Sequence, residues 1–82
     1  MNPDELLKRI VINPKVMVGK PVIDGTRVSV DMILRLLSQG IKTEDILRDY
    51  PHITKDDIHA CLLFASKLLE SPSFMPLETE TA

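Results

Sequence analysis

Two histidines, one cysteine and a scatter of lysines and arginines are the residues of this chain with chemistry to offer. Nucleophilic catalysis needs a thiol or hydroxyl within hydrogen-bond reach of a base. His59 and Cys61 come nearest to that in sequence. They are two residues apart, however, and on a helix such residues point roughly 160° away from each other. No Ser, Cys or Asp stands in a nucleophile motif, and Gly19, Gly25 and Gly40 form no phosphate loop. No Cys or His has the spacing of a metal-ligand set. Cys61, being the single cysteine, excludes an internal disulfide and reads as a small buried hydrophobe in a reducing compartment. The expectation is a protein that is not an enzyme, needs no cofactor or metal, and works by binding.

The cations divide into two groups. Lys20 and Arg27 lie in the first third, where residues 1–30 hold five basic against three acidic side chains. Residues 31–82 hold five against nine, for a net charge of −2 over the chain. A phosphate-binding surface is therefore expected toward the N-terminal third, with ordinary solvated charge as the alternative. Arg27 has a fork suited to a phosphate or a partner's carboxylate; equally, it could satisfy backbone carbonyls at the start of the following helix. The second group is His52, Lys55 and His59, which could reach a nucleic-acid groove. Asp56 and Asp57 sit at the same place and oppose phosphate, unless they only cap the helix.

These residues need elements to hold them. Asn2-Pro3-Asp4-Glu5 reads as a helix start of a turn or two, and Ile10-Val11-Ile12 as a strand ending at Asn13-Pro14. Asp24-Gly25 between Val22-Ile23 and Thr26-Arg27-Val28 predicts a β-hairpin with positive φ at both turn residues. Three helices follow. Ser29 caps the first, with Val30, Ile33, Leu34 and Leu37 on one face and Gly40 at its end. Thr43 caps the second, which Pro51 stops. Thr54 and Asp57 form a capping box for the third, whose apolar side is Ile58, Cys61, Leu62, Ala65 and Leu69.

The fold class is thus mainly α: an N-terminal β-arm or hairpin (residues 10–28), then a three-helix helix-turn-helix bundle. Residues 1–70 form a single domain, and residues 71–82 are expected to be a mobile tail. At 82 residues a domain buries only roughly 60% of its unfolded surface, so it gains from self-association. Ala60, Phe64 and Leu68 make a second apolar stripe beside the core face, read as a homodimer or partner interface with a wide core face as the alternative. In the tail, Phe74 and Leu77 are candidate anchors on a partner, against the plainer reading of a loose terminus. No apolar run reaches the roughly 20 residues of a membrane span, and a cytoplasmic protein is expected.

Two stretches, NPKVMVGKPVIDGTRVSV (13–30) and GIKTEDILRDYPHITKDDIHACLLFA (40–65), resemble the family called "domain of unknown function 433". Its pattern runs through Gly-Lys-Pro-Val and Gly-Thr-Arg to Tyr-Pro-x-Leu-Thr and a final helix rich in Ala and Leu. The chain departs from it at Val18, where a second glycine is common, and at Ser29, where proline is common. The resemblance implies a homeodomain-like helix-turn-helix fold behind a short β-arm and an antitoxin role beside a PIN-like ribonuclease. It follows that the chain is expected to bind promoter DNA through Lys20, Arg27, His52, Lys55 and His59, to neutralise that toxin, and to dimerise. The other reading is a protein–protein interaction module without DNA binding.

Overall fold

The computed structural model describes residues 1–15 and 17–70; the expected tail, with Phe74 and Leu77, lies outside the described residues. The first element is a five-residue helix, α1 (Pro3–Leu7). Asn2 caps it by accepting the Glu5 N–H at 2.8 Å, and Pro3 occupies the first helical position, where a missing N–H costs nothing. Lys8 and Arg9 lead into β1 (Ile10–Ile12), which pairs antiparallel with β2 (Pro21–Ile23), Ile10 opposite Ile23 and Val11 opposite Val22.

The hairpin expected across Asp24-Gly25 forms only in part. The Ile23 N–H donates to the Val28 carbonyl at 2.9 Å and Val22 bridges Ser29, but residues 26–28 make no strand. Thr26 is the reason. Its hydroxyl donates to the Ile23 carbonyl at 2.7 Å and accepts the Val28 N–H at 3.0 Å, so a group that a longer ladder would use is already taken. The main pairing of β2 is instead with β1, across residues 13–20. Only Gly25 takes positive φ, at +80°; Asp24 does not.

Three helices complete the domain: α2 (Val30–Ser38), α3 (Thr43–Asp49) and α4 (Lys55–Leu69). Ser29 caps α2, accepting the Met32 N–H at 3.1 Å. The helix ends as the sequence predicts, with Gly40 at φ +82°. The Ile41 N–H reaches back to the Leu36 carbonyl at 3.2 Å and the Gly40 N–H to that of Leu37 at 3.0 Å, a Schellman closure. Thr43 is not the cap of α3. That position falls to Lys42, which offers no side-chain bond; its carbonyl already accepts the Asp45 and Ile46 N–H groups at 3.0 and 3.1 Å, so the helix starts one residue earlier. The core centres on Ile33, Ile46, Ile58 and Cys61, and Ile10 and Ile23 bring the β-arm into it. The arm is therefore part of the domain, and α1 packs against α4 beside it.

The arm stores strain at one position. Val18 has φ 50° and ψ 48°, the left-handed region that costs a β-branched residue on the order of 1–3 kcal/mol. Its side chain is 94% exposed, so packing returns nothing. This is where the resembled family commonly has glycine. Val18→Gly is expected to raise stability by about 1 kcal/mol, the relieved strain exceeding the entropy that glycine adds to the unfolded chain. At Gly25 no atom lies within 4 Å of an added Cβ, so the cost of a side chain there is conformational, and Gly25→Val is expected to destabilise by about 1–2 kcal/mol. Urea titrations of the two variants should move the midpoint in opposite directions.

Candidate nucleic-acid interface

The front of α4 is built on a reciprocal cap. Thr54 Oγ1 accepts the Asp57 N–H at 3.2 Å and Asp57 Oδ2 accepts the Thr54 N–H at 2.9 Å. The other oxygen of Asp57, Oδ1, accepts from Arg9 Nη1 at 3.0 Å, and the same guanidinium stands 3.9 Å from Asp56. Asp57 is buried, with 9% of its side chain exposed, while Arg9 retains 32%. Both carboxylates at the front of the helix therefore face a cation supplied by the junction of α1 and β1. Sequence reasoning missed Arg9, because nothing local relates it to a residue 48 positions away.

Past this network, α4 opens with Lys55 and His59, both exposed and four residues apart, on one face of the helix. His52 is exposed in the turn of residues 50–54 that joins α3 to α4. Lys20 is placed differently: its amino group lies 3.9 Å from Asp31, which also holds Arg35 at 3.2 Å, so part of its charge is met at the start of α2. Arg27 is exposed and lines an open cleft of about 490 Å³ on the β-arm with Val11, Asn13, Val22, Asp24, Gly25 and Thr26. No residue of α4 lines that cleft. Among the described residues neither Arg27 nor Lys55 has an ion-pair partner. Within Gly25-Thr26-Arg27 the glycine supplies the turn and the threonine fastens it, and the arginine is left projecting.

The stripe expected as an interface divides. Ala60 is 0% exposed and belongs to the core; α1 packs along α4, and Ala60 stands one turn after Asp57, the residue that Arg9 holds. Phe64 is half-buried against the core, and Leu68 is 55% exposed. Leu62 and Leu69, read from the sequence as core, are 47% and 60% exposed. Cys61 is wholly buried. Burial first, and the negative charge of Asp57 second, push its thiol from an ordinary 9.0 up to about 12. Among the described residues no group of three or more His, Cys, Asp and Glu could hold a metal ion, and no helix is long and apolar enough to cross a membrane.

The family model described as "Protein of unknown function (DUF433)" matches residues 10–65, and the chain belongs to that family. A protein of Archaeoglobus fulgidus described as "Uncharacterized protein" is 57% identical over 30 residues, covering 37% of this chain and 83% of that one. No solved structure matches the chain.

Two expectations follow for the network and the thiol. Arg9→Ala leaves a buried carboxylate with only the Thr54 N–H for compensation, and should cost about 1–3 kcal/mol in urea unfolding. Asp57→Ala in the same background should then cost less than it does alone, the signature of coupling in a double-mutant cycle. Because folding raises the Cys61 pKa, its contribution is complete below the unfolded value near 9 and is lost as pH rises toward about 12. Alkaline titration should show stability falling across that interval, and a Cys61→Ala variant should lose this part of the dependence.

Proposed function

We propose that this chain is a DNA-binding protein of the antitoxin type, with α3, the turn of residues 50–54 and α4 acting as a helix-turn-helix. The observation that carries this reading is the partly compensated front of α4. Arg9 is bonded to Asp57 and stands 3.9 Å from Asp56, which offsets one of the two negative charges beside the exposed Lys55 and His59. Phosphate neutralisation supplies much of the affinity for DNA, and Lys55 is placed to provide it. His59, one turn further on, is a candidate for a base edge, and His52 for the flanking backbone. Arg27, projecting from the β-arm, makes a second phosphate contact through its fork. In this reading the protein also holds a PIN-like ribonuclease inactive and represses its own promoter, as the family resemblance implies.

A second reading, an interaction module that binds no DNA, is favoured by the net charge of −2 and by the apolar surface at the end of α4. Titrating the chain against its own upstream region at several salt concentrations separates the two. The DNA reading expects an affinity that falls steeply with salt, and a slope shallower by about one for Lys55→Ala or Arg27→Ala. Undetectable or salt-independent binding would leave the interaction module. The antitoxin half has its own test: if a PIN-like ribonuclease gene adjoins this one, co-expression of the two should relieve the growth inhibition that the ribonuclease causes alone.

A further inference from the structure

One face of α4 is left open by the elements packed on the helix. Ile58, Ala60 and Cys61 are sealed at 1%, 0% and 0% exposure, with α1, α2, α3 and β1 all in contact with α4. Lys55, His59, Leu62 and Ser66 are exposed. At about 100° per residue these four fall within an arc of roughly 60°. The carboxylates of the helix are turned elsewhere. Asp56 and Asp57 lie roughly 100° and 160° from Lys55 around the axis, and Asp57 is held by Arg9. From Lys55 to Ser66 the open face therefore presents a cation, an imidazole, an alkyl group and a hydroxyl, and no negative charge.

Leu62 is the member of that face that folding does not explain. It is 47% exposed although its neighbour Cys61 is wholly buried, so an anchored stretch of helix carries a projecting alkyl group. We infer that Leu62 packs against the 5-methyl group of a thymine in the major groove and makes the protein select a T·A pair at that position. That methyl is the one apolar group that the bases present in the major groove, and so the match for an alkyl side chain set among polar ones. The spacing agrees. Leu62 lies about 10 Å beyond Lys55 and about 5 Å beyond His59 along the axis at 1.5 Å per residue. A helical stretch of that length spans three successive base pairs when it lies in a groove. Lys55 then neutralises a phosphate at the groove's edge, His59 meets the polar edge of a base, and Leu62 reaches a methyl a pair or two away. Charge favours this occupant, because a face with Lys55 and His59 and no carboxylate suits a groove walled by phosphates.

Leu62 has this role only if α4 enters the groove, as proposed above, so the test must separate the contact from the docking. The full chain is titrated against two duplexes of the region upstream of its own gene, one made with thymine and one with uracil throughout. Uracil removes the methyl and keeps every hydrogen-bonding group of the base. The expected result is an affinity lower by roughly fourfold for the uracil duplex, the factor that burial of one methyl-sized group carries. Leu62→Ala should bind the thymine duplex about as weakly as the wild-type chain binds the uracil one, and should not distinguish the two. Leu62→Met, which keeps an apolar contact, should retain the preference. Equal affinity of the wild-type chain for both duplexes overturns the inference and depends on no variant that has to fold. A uracil penalty that Leu62→Ala keeps in full overturns it as well, since the methyl is then met by another residue. Salt-dependent binding that ignores the methyl leaves the DNA reading standing, whereas a chain that binds neither duplex defeats both.

Discussion

The bond from Arg9 to Asp57 is the constraint on which the rest of this small domain turns. Asp57 completes the cap of α4 with one oxygen and receives the guanidinium with the other. A capping residue on an exposed helix typically contributes about 1 kcal/mol. Here the same carboxylate also fixes where the N-terminal segment lies. A helix of five residues such as α1 has no stability of its own; it persists because Leu6 packs on the core and Arg9 anchors the residues that follow. In return α1 packs against α4.

The β-arm shows how a motif separates into parts with different purposes. Gly25 turns the chain, Thr26 ties the turn to Ile23 and Val28, and the neighbouring Val22 and Ile23 are 2% exposed. These residues are accounted for by folding. Arg27 is not: it is exposed and has no ion-pair partner among the described residues. Strain at Val18 lies in the same arm but at an exposed loop tip, where the domain gains no packing from it.

α4 is divided along its length. Its first half carries exposed Lys55 and His59 on one side and the enclosed Ile58, Ala60 and Cys61 on the other, and its second half presents Leu62, Leu68 and Leu69 to solvent. One helix thus exposes polar side chains at its opening and apolar ones toward its end.

Much of this architecture was readable along the chain. Asn2, Ser29, Gly40 and the Thr54–Asp57 box marked helix ends correctly, because capping is decided within three or four residues. The apolar periodicity gave the core faces of α2 and the first half of α4 for the same local reason. What sequence could not supply was anything settled by distant partners. The pairing of β2 with β1 instead of with residues 26–28, the burial of Ala60 and the exposure of Leu62 and Leu69 all depend on which elements pack where. Periodicity shows that a helix has an apolar side; it does not show how far the covering elements extend. Likewise the charges of Asp56 and Asp57 were visible in sequence, but the cation that pairs with Asp57 is Arg9, a neighbour created only by folding.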